Sequence, residues 1–258
     1  MRAVRPGSWF VLGLALAGPL RAQRAELPHG LQAGRRDVGM RALPPPGERM
    51  KVWYPASCGR RLPASATPCL DAAPDSGRFP LLLFAPAGGH AAQDTVLARY
   101  FASHGYAVVL VPGGDPSAGL AEALEAARTL PLVDSMRIAV AGAGASATSA
   151  RQLAERGSPI VALAELRPVD DPSGAPAGGR IATLIVRDQD QADRPAAADG
   201  RQLTVNLPAG PSDRFRLVTA VTHAFLNAAF GRGSLSLADL TRRLRAAGLA
   251  ACCPSNQD

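Results

Sequence analysis

Long apolar segments that alternate with helical segments are the feature that most constrains how this chain folds. Between the long apolar segments, apolar residues recur with the spacing of an α-helix, for example in residues 95–107 and 118–130. A strand that is apolar on both faces has to be covered on both faces. The pattern therefore predicts an α/β fold, a mainly parallel sheet with helices on both faces. The predicted buried strands lie at residues 79–89, 107–115, 137–142, 159–166, 181–188 and 201–210.

The length and composition predict a single domain over residues 23–258. Hydrophobic residues make up 47% of the chain and charged residues 19%, as in globular proteins rather than disordered ones. The formal charge of +7 comes from arginines that are scattered along the chain with few aromatic residues between them. We therefore predict no nucleic-acid partner.

Residues 1–22 have the features of a cleaved secretory signal peptide. Arg2 and Arg5 form a basic start, residues 9–18 form an apolar segment too short to cross a bilayer, and Ala22 is a small residue at the predicted cleavage site. No later segment has the length and hydrophobicity of a membrane span. We therefore predict a secreted or periplasmic protein without stable membrane insertion.

Four cysteines allow three disulfide pairings. Cys58 and Cys69 lie in one polar loop, and a disulfide between them would contribute about 3 kcal/mol to stability. Cys252 and Cys253 lie in the C-terminal tail. They could form a disulfide with each other, form one with another chain, or stay unpaired. No histidine has the spacing of a zinc site, so we predict no metal.

The sequence "GAGASA" at residues 142–147 follows a predicted strand and begins a predicted helix. It satisfies the G-x-G-x-x-A pattern of a dinucleotide site, and Glu165 follows Gly142 by 23 residues, where an acid that binds ribose is expected. One hypothesis is therefore an FAD- or NAD-binding protein that uses Gly142, Gly144 and Glu165. The turn lies far into the chain, however, and too little sequence follows it for a usual catalytic domain. We therefore predict no cofactor.

Four segments of this chain occur in an order that is similar to the order of motifs in a known family. They are "VWYPA" (52–56), "FPLLLFAPAGG" (79–89), "SHGYAVV" (103–109) and "RIAVAGAGASA" (137–147). Across residues 38–230 the chain resembles the dienelactone-hydrolase and platelet-activating-factor-acetylhydrolase-like branch of the α/β-hydrolases. The resemblance implies an α/β-hydrolase fold. It also implies hydrolysis of carboxylic esters by a serine on a sharp strand-to-helix turn, the nucleophile elbow, which reads G-H-S-x-G-G.

This chain departs from the family pattern at the elbow itself. Gly142 takes the place of the first glycine, Ala143 that of the histidine and Gly144 that of the nucleophilic serine. Ser146 and Ala147 take the places of the last two glycines. Glycine has no side chain to acylate, so the resemblance implies a catalytically inactive member.

The oxyanion hole and the catalytic acid have partial counterparts in this chain. Residues 86–90 stand where the family has its oxyanion loop, and the backbone amides of Gly88 and Ala145 remain able to form the hole, because backbone donors need no particular side chain. Asp190 is the best match to the family acid, and Asp188 is the second.

The family histidine has no counterpart, because Pro211 or Ser212 stands in its place. His223 lies further on, within a predicted helix, on the side opposite the apolar stripe, so we expect it at the surface. By its position in the sequence, His90 is the histidine nearest the predicted pocket.

The expected function is therefore that of a non-catalytic protein with a hydrolase fold, which binds a small apolar or acyl ligand or a protein partner. The alternative within the same fold is a weakly active ester hydrolase. It would use Ser146 as the nucleophile, Asp190 as the acid, and His90 or His223 as the base.

Overall fold

A mixed sheet forms the centre of the computed structural model, which describes residues 32–45, 50–58, 68–88, 91–156, 159–169, 181–188, 201–207 and 214–251. Within these residues the sheet has ten strands in the order β10-β9-β8-β7-β6-β4-β5-β2-β1-β3. The strands are β1 (Asp37–Ala42), β2 (Lys51–Ala56), β3 (Cys69–Leu70), β4 (Phe79–Ala85), β5 (Ala107–Leu110), β6 (Val133–Ala143), β7 (Ile160–Leu166), β8 (Ala182–Asp188), β9 (Gln202–Leu207) and β10 (Ala250–Ala251).

Parallel pairing joins the central strands from β5 through β4, β6, β7 and β8 to β9. The antiparallel pairs lie towards the two edges, where β1 pairs with β2, β2 with β5, and β9 with β10. Every residue of β4 is buried, which explains its continuous apolar sequence. The predicted α/β fold with a mainly parallel sheet is confirmed.

Five helices in the described residues cover the sheet, and they divide between its faces. Successive residues of β4 enter different cores: Leu82 and Phe84 join one, while Leu81 and Leu83 join the other. The first core contains residues of α1 (Ala91–Ser103), α4 (Arg214–Ala229) and α5 (Leu237–Ala246), and the second contains residues of α2 (Pro116–Arg128) and α3 (Ser146–Glu155). The predicted helices on both faces are therefore present.

The start of α2 follows a standard capping pattern. Asp115 has an extended backbone, and its carboxylate accepts hydrogen bonds from the amides of Ser117 (2.8 Å) and Ala118 (3.3 Å). Pro116 takes the first helical position, where a missing N–H has no cost. This cap fixes where the chain turns from the carboxyl end of β5 into the helix.

Cys58 and Cys69 form a disulfide, as the sequence predicted. The bond ties the chain just after β2 to the edge strand β3, whose pairing with β1 involves only two residues on each strand. A structural disulfide is typical of proteins from oxidising compartments. Cys252, Cys253 and the predicted signal peptide at residues 1–22 lie outside the described residues.

No helix within the described ranges combines the length and apolar character needed to cross a membrane. In the same part of the chain, no group of three or more histidine, cysteine, aspartate or glutamate side chains is placed to hold a metal ion.

Candidate functional site

The turn between β6 and α3 is built as a sharp elbow at the carboxyl edge of the sheet. Gly144 has a φ of +57°, in the left-handed region that side-chain-bearing residues rarely adopt. Its amide donates a hydrogen bond to the carbonyl oxygen of Leu166 at the end of β7 (2.9 Å). Its carbonyl accepts one from the amide of Ala147 (3.2 Å), in the first turn of α3. The apex of the elbow is therefore held on both sides by backbone hydrogen bonds.

Gly142 is required for the packing of this elbow. A Cβ atom at this position would lie 2.3 Å from the carbonyl oxygen of Ser146 and 2.7 Å from Cα of Ala147. The strand and the helix approach each other too closely for any side chain. The first glycine of the turn thus has a structural role that requires no bound dinucleotide.

The loop after β4 lies directly over the apex. A Cβ atom at position 144 would be 3.1 Å from Cβ of Ala87, which is tight contact, and 3.8 Å from Cα of the same residue. Ala87 and Gly88 are exposed, as is Ala145 beside the apex. The space that a nucleophilic side chain would need is therefore bordered by Ala87, and Gly144 leaves it without a reactive atom.

Ala145 is the residue before the first turn of α3. The amides at a helix N-terminus have no intrahelical acceptor, and they lie at the positive end of the helix dipole. The amide of Ala145 therefore lies at the positive end of the α3 dipole. An oxyanion hole made by the amides of Ala145 and Gly88 remains a prediction. His90 lies outside the described residues.

Ser146 is buried at the start of α3, with 8% of its surface exposed. Its hydroxyl donates a hydrogen bond to the carbonyl oxygen of Pro86 (2.9 Å). Within the described residues, no histidine contacts this hydroxyl. A serine needs a neighbouring base to become a nucleophile, whereas this proton is directed to a carbonyl.

His223 is half-buried rather than at the surface as expected, because its ring contacts side chains of α1. The hydroxyl of Tyr100 is 2.9 Å from its Nδ1 atom, and its ring makes edge contacts with Tyr100, Phe101, His104 and Tyr106. Desolvation, followed by the nearby positive charges, lowers the pKa of His223 to about 3. None of these contacts involves the elbow, so the structure does not bring His223 to Ser146.

Asp188, the second match to the catalytic acid, is the last residue of β8 and forms ion pairs with two arginines. Nε of Arg167 lies 2.9 Å from one carboxylate oxygen, and a terminal guanidinium nitrogen of Arg214 lies 3.3 Å from the other. These ion pairs join the ends of β7 and β8 to the start of α4. Asp190, the better match, lies outside the described residues, as do Pro211 and Ser212.

Glu165 has an internal partner, Arg151, which lies 14 residues earlier in the sequence. Its carboxylate is 1% exposed and accepts two 2.6 Å hydrogen bonds from Nε and a terminal nitrogen of Arg151 on α3. Burial raises the pKa of Glu165, and Arg151 opposes that rise. A ribose could reach this carboxylate only after the ion pair had broken, so the geometry disfavours the dinucleotide hypothesis. One sequence signal was present, since an acid within the apolar strand segment 159–166 requires a buried partner.

Comparisons with known proteins give a fold but no sequence family. No protein-family model matches the sequence, and no curated protein matches it significantly. Among solved structures, a ferulic acid esterase from Streptomyces cinnamoneus superimposes with a TM-score of 0.59 and 18% sequence identity. The match covers 81% of this chain and 96% of the esterase. The chain therefore has the α/β-hydrolase fold, with glycine at the apex of its elbow.

Proposed function

We propose that this protein is a non-catalytic member of the α/β-hydrolase fold that binds a small apolar or acyl ligand at the carboxyl edge of its sheet. The observation that carries this proposal is Gly144 at the apex of an otherwise intact elbow. Serine-dependent ester hydrolysis proceeds through an acyl-enzyme, which requires an oxygen at this position. Glycine supplies none.

Among the residues that the structure describes, no base is placed to make the neighbouring serine a replacement nucleophile. The hydroxyl of Ser146 is bonded to Pro86, and His223 is engaged with Tyr100 in the interface between α1 and α4. A triad depends on the mutual geometry of its members, so a serine near the elbow is not sufficient.

The backbone part of the site needs no side chain and is independent of this loss. The amide of Ala145 at the start of α3 suits a carbonyl or carboxylate oxygen of the ligand, because it lies at the positive end of a helix dipole. Val169, which is 67% exposed just beyond β7, and Ala87 offer apolar surface near the same edge. We expect the protein to bind this ligand outside the cytoplasm, in keeping with the predicted signal peptide and the disulfide.

Labelling with a fluorophosphonate probe tests the loss of catalysis. The mature protein, residues 23–258, is treated with the probe and its intact mass is measured, with an active serine hydrolase in the same tube as a control. We expect the control to gain the probe's mass and this protein to remain unmodified. An adduct that maps to Ser146 would show that the protein is an ester hydrolase and would overturn the proposal.

Ligand binding is tested separately, with octanoate as a probe that combines an apolar chain with a carboxylate. In ¹⁵N-labelled protein, we expect saturable shifts of the amide resonances of Ala145 and Gly88. A titration that reaches millimolar octanoate without shifting either resonance would contradict binding at the elbow.

A further inference from the structure

Position 144 has no hydroxyl group, but Ser146, two residues later, has one, and this hydroxyl has a different role. Ser146 stands where the family pattern has a glycine, and only a side chain allows it to reach Pro86, 60 residues away in the sequence. Its hydrogen bond crosses from the first turn of α3 to the loop after β4. The bond is largely shielded from solvent, since Ser146 is 8% exposed.

Few hydrogen bonds from the described residues reach the loop at residues 86–88. It leaves the sheet after Ala85, and Ala87 and Gly88 are exposed. Within the described part of the chain, the bond from Ser146 is the only side-chain hydrogen bond that reaches this loop. The position of the loop relative to the elbow therefore depends strongly on one hydroxyl group.

The contact at the apex shows what this bond determines. With Pro86 held by Ser146, Ala87 lies over Gly144, and Gly88 is the next residue of the loop. The hydrogen bond thus ties the loop that contains Gly88 to the helix that begins beside Ala145.

We propose that Ser146 is a positioning residue, whose hydrogen bond to Pro86 holds residues 86–88 against the elbow and keeps the Gly88 and Ala145 amides placed for a ligand oxygen. This inference rests on the binding function proposed above. It assigns the buried hydroxyl to the architecture of the site rather than to nucleophilic attack.

The test compares Ser146→Ala with Ser149→Ala in ¹⁵N-labelled mature protein. Ser149 is the matched control, since it lies one turn further along α3 and its hydroxyl accepts a 3.0 Å hydrogen bond from Ser117 on α2. Each variant loses one hydrogen bond of the same helix, but only the first affects the loop. The measurements are the backbone order parameters of Ala87 and Gly88 and the affinity for octanoate.

We expect Ser146→Ala to lower the Gly88 order parameter from a rigid value to below about 0.6 and to weaken octanoate binding at least fivefold. Ser149→Ala should leave both within experimental error of the wild type, although the two variants lower the melting temperature by similar amounts. Ser146→Thr, which keeps the hydroxyl, should restore both properties.

An unchanged Gly88 order parameter in Ser146→Ala would overturn the inference, and so would a mobile loop with unchanged octanoate affinity. Failure of the wild type to bind octanoate would instead contradict the proposed function. In that case the order parameters still decide whether Ser146 holds the loop.

Discussion

Replacement of Arg151 by leucine would leave the Glu165 carboxylate buried without its main partner. The two hydrogen bonds of 2.6 Å would be lost, while the acid stays 1% exposed between the sheet and α3. Removal of one member of a buried ion pair typically costs about 3–5 kcal/mol of unfolding free energy. Arg187 also lowers the pKa of Glu165, so we expect a loss near the lower end of that range.

The loss should depend on pH in a defined direction. The pKa of Glu165 is already raised by burial, and removal of Arg151 raises it further. A raised folded-state pKa of an acid means that its protonated form is favoured by folding. The variant should therefore be most stable below the unfolded-state pKa and lose stability as pH rises, by about 1.4 kcal/mol for each unit that separates the two pKa values.

Urea denaturation at pH 8 and pH 5 measures this effect without screening the charges. The double variant Arg151→Leu/Glu165→Leu is the control, and it should recover most of the lost stability because no carboxylate remains buried. A loss below about 1 kcal/mol at pH 8, or an equal loss at both pH values, would refute this account of the ion pair.

Three further measurements follow from contacts outside the elbow. Because the pKa of His223 is lowered to about 3, folding favours its neutral form, so stability should fall by about 2 kcal/mol between pH 7 and pH 4.5. His223→Phe should remove most of this pH dependence, and a variant as acid-sensitive as the wild type would contradict the assignment. Arg232 donates to two carbonyl groups just past the end of α1 and stacks on Tyr106 at 4.6 Å. Arg232→Met should lower the unfolding free energy by about 1–2 kcal/mol, with Arg232→Lys intermediate, and equal stability of the two variants would argue against the planar contact. Reduction of the disulfide between Cys58 and Cys69 should cost about 3 kcal/mol in urea denaturation, and the double serine variant should show the same loss without reductant.

The sheet was predictable from the sequence because its central strands are apolar on both faces. The segment at 79–89 and its successors could only be buried strands. Such patterns depend on neighbours in the sequence alone. The elbow was recognisable for the same reason, since a strand, a glycine turn and a helix follow one another directly.

The surroundings of His223 were not predictable, because the apolar stripe of a helix shows which side packs on the sheet but not whether a second helix covers another side. Tyr100, which contacts it, is 123 residues away in the sequence. The role of Ser146 was hidden for a similar reason, since Pro86 reaches it only after β4 and β6 have paired. Contacts of this kind depend on how separate elements are placed, and no local pattern records them.

The backbone conformation of Gly144 also affects how the residue at the apex of such a turn changes during evolution. At a φ of +57°, a serine at position 144 would carry conformational strain of order 1 kcal/mol or more, whereas glycine adopts this conformation freely. Stability and catalysis therefore favour different residues at this position. When selection for catalytic turnover is relaxed, a change from serine to glycine at position 144 makes the fold more stable. The reverse change is opposed by the backbone strain and by the close contact with Ala87. Loss of the nucleophile at such a turn is thus easier than its recovery.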